Sequence, residues 1–298
     1  MGTEMVNLAE KARKLASLDF AKPSSTRLIA VANQKGGVGK TTTAVNIASA
    51  LADHGLSILL VDMDPQGNAS TAMGVQHAEG DKSVYDVLEG RLTLNQVRSR
   101  SEHFPTLDVV PASIDLSGAE MELANLPDRN NLLNTAMHQL LSESPTAYDY
   151  VIVDCAPSLG LLVLNALCAV HEVLIPIQAE YYALEGLGQL LHTISLVQHN
   201  FNPSLTVSTM LITMYDKRTL LSKEVFDEIQ QHYNGIVLNT TIPRSVKISE
   251  APSFGQSIIT YDPHGAGAVA YGEAAYEVNS RSESVLQQLS NNHQGNEE

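Results

Sequence analysis

The chain has 298 residues, 44% of them apolar and 17% charged, with 18 Lys and Arg against 33 Asp and Glu. That length and apolar content suit one large α/β domain or two small ones and exclude a disordered chain; two cysteines exclude a disulfide-stapled secreted module. Taken whole, the net charge of -15 argues against a nucleic-acid partner.

Residues 1–25 read as a polar extension with one short helix from Glu4 to Leu18, ended near Pro23, and without the continuous apolar run of an export signal. Leu28 to Ala32 is an apolar run of strand length, followed by a glycine-rich turn at 36–39. A helix is expected over 40–54, with Ala44, Ile47, Ala48 and Leu51 at helical spacing and Gly55 as its stop. Further buried strands are expected at Ser57–Asp62, Leu107–Val110, Asp149–Asp154, Glu172–Ile177 and Leu205–Met214, with a seventh at Gly235–Asn239. Helical patterns fall at 115–124, 130–143, 160–169, 182–199, 221–233 and 265–289. Buried strands alternating with helices predict a single α/β domain over 26–290, with a mostly parallel twisted sheet covered by helices on both faces. A polar acidic tail, 291–298, follows it. No stretch approaches 18 uninterrupted apolar residues; the best candidate, Leu161 to Val170, is about ten long and contains Asn165, so a cytoplasmic protein is expected.

The chemistry concentrates after the first strand, at Gln34-Lys35-Gly36-Gly37-Val38-Gly39-Lys40-Thr41, with Thr42 next. There, backbone N–H groups and a helix N-terminus can cradle phosphates, with Lys40 on the β/γ oxygens and the Thr41 hydroxyl on Mg²⁺. The ordinary pattern G-x-x-x-x-G-K-[ST] fails, because its first glycine falls on Gln34, while an extra lysine stands at 35. Two later strands end in aspartate. Asp154 ends a buried strand facing the loop, where a carboxylate can hold Mg²⁺ through water. Asp62 and Asp64 lie on opposite sides of their strand if it stays extended, and on one side only if the chain turns. Cys155 and Cys168 form no C-x-x-C and read as small core residues; His192 and His199 read as surface residues.

Lys-Gly-Gly-Val-Gly-Lys-Thr resembles the deviant Walker A box of the ParA/MinD ATPases, a P-loop NTPase family. The resemblance continues through Val61-Asp62-Met63-Asp64-Pro65-Gln66-Gly67-Asn68, Val153-Asp154-Cys155-Ala156-Pro157-Ser158-Leu159-Gly160, Glu180-Tyr181-Tyr182-Ala183-Leu184-Glu185-Gly186-Leu187 and the run Ile242 to Pro252. The combination is similar to ParA/Soj-type partition ATPases; Ala156 departs from it, where the family carries a second proline. The resemblance implies ATP and Mg²⁺ as ligands, a homodimer in the ATP state, and Lys35 crossing the dimer interface to the partner's nucleotide. It assigns Asp64 to orient the attacking water and Asp62 as a metal-side helper. It also implies that Pro243 and Arg244 lie in a segment that approaches the adenine.

Within that family the membrane-binding branch ends in a basic amphipathic helix, whereas Ser282 to Glu298 is short of cations and finishes acidic. Larger plasmid partition ATPases carry an N-terminal operator-binding domain, for which residues 1–25 are too few. The small Soj-like branch implies non-specific binding of double-stranded DNA, nucleoid association, and release by a ParB-type partner that stimulates hydrolysis. DNA contacts would fall on Lys217, Arg218, Arg244 and Lys247, with Lys223 a further candidate; Arg244 serves DNA or nucleotide. Divided along the chain, the charge permits this. Residues 101–212 hold 1 basic and 12 acidic side chains, whereas residues 213–298 hold 6 basic ones and residues 1–100 hold 11. The alternative is a MinD-like or cargo-positioning ATPase acting on a membrane or protein complex. A biosynthetic P-loop enzyme is more distant, since no polar cluster marks a second substrate pocket.

Overall fold

A computed structural model of the chain describes residues 2–143, 148–180 and 183–281. Tyr181, Tyr182, the last part of the helix expected over 265–289 and the acidic tail lie outside the described residues. Eight strands form one sheet: β1 Arg27–Val31, β2 Ile58–Met63, β3 Ser99–Arg100, β4 Leu107–Val110, β5 Tyr150–Cys155, β6 Glu172–Gln178, β7 Thr206–Tyr215 and β8 Val237–Pro243. Their order is β3-β4-β2-β5-β1-β6-β7-β8, and every neighbouring pair is parallel except β3 with β4.

The interior strands are buried along their length, as expected of continuous runs such as Ile58-Leu59-Leu60-Val61 that must meet helices on both faces. Side chains alternate between two cores. Leu59, Val61, Val151 and Val153 face the helices Leu132–Glu143, Leu161–Ala169 and Ala183–Asn200. Ile58, Leu60, Tyr150 and Ile152 face the helices Lys40–Asp53 and Ala266–Ser280. The Lys40–Asp53 helix is rich in small residues on its buried side (Ala44, Ala48), which lets it lie close against the sheet.

At the end of the sheet where β1 begins, Arg27 and Glu172 form a bidentate pair at 2.6 and 2.7 Å with side chains 1% and 2% exposed. Arg27 also donates to the Val278 carbonyl at 2.7 Å, so the pair joins sheet and C-terminal helix. Removing one partner of such a pair leaves an uncompensated buried charge, worth about 3–5 kcal/mol.

The structure adds elements absent from the sequence expectation: the short helices Asn68–Ala72, Val84–Leu88, Leu94–Val97, Val246–Glu250 and Ile258–Tyr261, and the two-residue edge strand β3. Each is too short to show a hydrophobic period. The last strand also runs on to Pro243 rather than ending at Asn239, because Thr240 and Thr241 are good strand formers that the apolar criterion passes over.

Candidate nucleotide and metal site

The order of strands decides where the site lies. β1 sits between β5 and β6, with β2 on the far side of β5, so the loop leaving β1 emerges beside the end of β5 and one strand away from β2. Asp154 pairs in register with Val31 on one side and with Asp62 on the other. Two carboxylates from distant sequence are thereby set next to the glycine loop.

The loop is held open by its backbone. Gly37 and Gly39 have φ of 76° and 89°, left-handed values that a side chain resists, and Gly39 opens the Lys40–Asp53 helix. A Cβ at Gly36 or Gly37 would meet nothing within 4 Å, so the loop leaves its backbone open to an approaching phosphate. Val38 anchors the loop from below, its carbonyl accepting from Thr213 Oγ1 at 2.8 Å. Asn33 sets the loop entrance: its Oδ1 accepts from the Lys35 N–H at 3.0 Å while its Nδ2 donates to the Pro176 carbonyl at 2.8 Å. Thr213→Val should cost about 1 kcal/mol in stability. It should also raise the ATP dissociation constant by up to about fivefold, read by thermal melts and nucleotide titration.

Lys40 is 7% exposed and its Nζ donates to the Lys35 carbonyl at 3.1 Å. Burial lowers its pKa, and the negative charges of Asp154 and Asp64 work against that. Thr41 follows at the first turn, beside Asp154. Asp154 is fully buried, and among the described residues neither carboxylate oxygen makes a hydrogen bond of good geometry, although the Thr41 hydroxyl lies close by. Burial first, then the charge of Asp62, pushes its pKa well above the usual carboxylate range, although the nearby Thr41 hydroxyl favours the charged form. A buried carboxylate with two orphaned oxygens is costly unless a cation completes it. With Thr41 beside it and the cradle in front, the donor set is all oxygen and sparse. That suits Mg²⁺, which keeps several waters and shares its sites with phosphates. Among the described residues no three His, Cys, Asp or Glu side chains cluster as a closed metal site.

Asp62 is different. Its Oδ2 accepts from Ser70 N–H at 2.9 Å and from Ser70 Oγ at 2.7 Å, and its Oδ1 accepts from Asp64 N–H at 3.1 Å. It therefore caps the Asn68–Ala72 helix, and burial raises its pKa to about 6. The Ser70 hydroxyl in turn accepts from the Ala112 N–H at 3.2 Å, tying this corner to the end of β4. Asp64 lies just past β2, where the chain has turned, and among the described residues only one of its oxygens is taken, by the Gln66 N–H at 3.0 Å. Sequence reasoning passed over Ser70 and Thr213, since an isolated hydroxyl far along the chain carries no local signal.

Lys35 reaches sideways, not into its own loop. Its Nζ pairs with Glu180 at 3.0 Å, with both side chains roughly half exposed, so the pair is weak and easily exchanged. Glu180 is steadied by Gln178 Nε2 at 2.5 Å.

Pro243 and Arg244 end β8 next to Tyr215, whose carbonyl accepts from the Arg244 N–H at 3.4 Å. Of the four DNA candidates, Arg218 is engaged twice by Asp216, at 2.7 and 2.9 Å, and Lys247 pairs with Asp262 at 2.9 Å. The Arg218 guanidinium holds Asp216 down at about 2. Lys217 and Arg244 are exposed and make no ion pair among the described residues.

The AAA domain family model matches residues 26–207. The sporulation initiation inhibitor protein Soj of Bacillus subtilis is 47% identical over 252 residues, 85% of this chain and 98% of that protein. The chromosome partitioning protein ParA of Caulobacter vibrioides is 45% identical over 255 residues, 86% of this chain and 94% of that protein. A crystal structure from Mycobacterium smegmatis, titled cobyrinic acid a,c-diamide synthase with bound ATP analog and magnesium, superposes with a TM-score of 0.74 at 38% identity, covering 87% of this chain and 96% of that one. The glycine cradle, its two lysines and the strand-end aspartates thus lie in a chain that nearly spans these relatives, and it belongs to the ParA/Soj family of chromosome-partitioning ATPases.

Proposed function

We propose that ATP binds with its phosphates in the loop 35–41, under Lys40, with Thr41 and Asp154 holding Mg²⁺ and Asp62 supporting that corner. The observation that carries this is the pair of buried, unpartnered Asp154 oxygens near a loop whose backbone is open at Gly36 and Gly37. The metal would neutralise charge on the β and γ oxygens. The chain itself positions: Lys40 balances the γ-phosphate, Asp64 accepts a hydrogen bond from the attacking water, and β8 brings Pro243 and Arg244 towards the base.

Lys35 leaves Glu180 when a second ATP-loaded chain docks and then contributes its charge to the partner's nucleotide, as an arginine finger does. The ATP dimer binds double-stranded DNA without sequence preference in the nucleoid, through Lys217 and Arg244, with Arg218 and Lys247 joining as their ion pairs exchange for phosphate. A ParB-type partner stimulates hydrolysis and so releases the DNA. Similarity to Soj and ParA over nearly their full length supports a DNA-segregation role in the cytoplasm; the synthase chemistry in the mycobacterial title has weaker support, at lower identity. No helix among the described residues is long and apolar enough to cross a membrane.

The test is binding of a duplex of arbitrary sequence with ATP and with ADP, over a range of salt. Binding is expected in the ATP state only. With two to four phosphate contacts per protomer, the log–log salt slope should lie between about -4 and -7 per dimer. Equal binding in both nucleotide states, or binding to vesicles in place of DNA, defeats the reading.

A further inference from the structure

The segment before β1 lies outside the residues matched by the family model, yet it is built onto the body by specific contacts. Its helix, Gly2–Ala16, runs against Ala266–Ser280. Leu15 fits a notch that exists because residue 272 is glycine: a Cβ there would stand 2.3 Å from Leu15 Cδ2. Phe20 stacks on His54 with ring centroids 3.9 Å apart, and Asn279 Nδ2 donates to the Ala21 carbonyl at 2.8 Å. Lys11 pairs with Glu273 at 3.1 Å. The helix therefore has a fixed seat.

Between this helix, the edge strand β8 and the Ala266–Ser280 helix runs an open groove of about 1110 Å³. Three lysines line it, Lys11 and Lys14 from the N-terminal helix and Lys217 from the loop after β7, together with Glu273 and Glu277. The two acids are already engaged. Glu273 takes Lys11, while Glu277 accepts from the Asn239 and Thr240 N–H groups at 2.8 Å each and neighbours Arg281 at 3.8 Å. Lys14 and Lys217 are exposed and form no ion pair among the described residues. The groove thus keeps two ammonium groups without an ion pair among the described residues, and Thr240 and Thr241 line it as further polar residues.

We propose that Lys14 extends the DNA-contacting surface of Lys217 along this groove, so that the N-terminal helix is part of the interface with the phosphate backbone. The proposal rests on the DNA-binding reading above. Continuity with Lys217 favours DNA over an acidic peptide, and so does need. Two of the four cations assigned to DNA are already paired within the chain, and a protein of net charge -15 gains from every unpaired cation on that side.

The experiment compares the full-length wild type with Lys14→Gln, Lys217→Gln and Gly272→Leu, the last filling the seat of Leu15. Anisotropy of a labelled duplex is read in ATP over a range of salt. Lys14→Gln should weaken binding several-fold and make the salt slope shallower by about 0.9 per protomer, close to the change for Lys217→Gln. Gly272→Leu should follow Lys14→Gln; if it does not fold, Lys14→Gln carries the test alone. Wild-type affinity and slope in Lys14→Gln, with Lys217→Gln weakened, overturns the proposal and leaves the DNA reading standing. A Lys14→Gln defect in stimulation by an acidic protein, with DNA binding intact, also overturns it. Failure of the wild type to bind DNA in ATP removes both.

Discussion

Lys40→Ala is expected to abolish turnover. Its ammonium is buried in the loop, donates only to the Lys35 carbonyl, and stands at a helix N-terminus, where a cation is disfavoured until an anion arrives. Burial also lowers its pKa. Such a group gains most when phosphate oxygens fill the cradle, so its loss removes stabilisation that grows as charge develops on the transferring phosphoryl group. A fall in kcat/KM of about 10³-fold or more is expected, with loss of the thermal shift given by Mg-ATP. The free protein should melt near the wild-type temperature, because the desolvation cost of a buried charge is removed together with its attraction to Asp154 and Asp64. Turnover within tenfold of wild type, in a phosphate-release assay, refutes this role.

The fold was largely legible because it rests on long apolar runs. Leu28 to Ala32 and Val151 to Val153 can only be buried strands in a chain that also carries helix-period segments, and the parallel sheet follows. The loop was legible because Gly37 and Gly39 occupy backbone conformations that glycine alone adopts easily, so chemistry and sequence coincide there. What stayed hidden depends on register. That Asp154 and Asp62 sit side by side follows from the pairing of β5 with β2, which no local pattern encodes. Nor does the sequence say that Asp62 spends its lone pairs on Ser70 while Asp154 keeps both oxygens open. The extension at 1–25 read as a polar lead-in because its apolar anchors, Leu15 and Phe20, are few and their seats, Gly272 and His54, lie far along the chain. Taken whole, the net charge hides that the cations lie mostly in the first 100 and last 86 residues. Ion pairing sharpens the point further, since Arg218 and Lys247 count as cations in the composition but are matched in place.

Asp64→Ala should separate binding from hydrolysis. Asp64 contributes to the fold one side-chain hydrogen bond, from the Gln66 N–H, and it lies past the end of β2 rather than within the sheet. Losing that bond costs about 1 kcal/mol, so the variant should fold, bind Mg-ATP and dimerise. Its second oxygen accepts no hydrogen bond among the described residues, and in the proposed role it accepts from a water in line with the γ-phosphate. Without it the water is unoriented, and turnover should drop by about 10²–10⁴-fold with little change in nucleotide affinity. The consequence for the cycle is specific: the ATP state accumulates, and DNA stays bound in the presence of a stimulating partner. Asp62→Ala makes the contrast. It strips the Asn68–Ala72 helix of its cap and leaves the buried Ser70 hydroxyl and N–H short of an acceptor, so its main defect should be in stability, about 1–3 kcal/mol. Near-normal turnover in Asp64→Ala, together with a catalytic collapse in Asp62→Ala at unchanged stability, would reverse the two assignments. Trapping on DNA by Asp64→Ala but not by Lys40→Ala would place the first residue after nucleotide binding and the second at it, as the two positions in the loop and past β2 require.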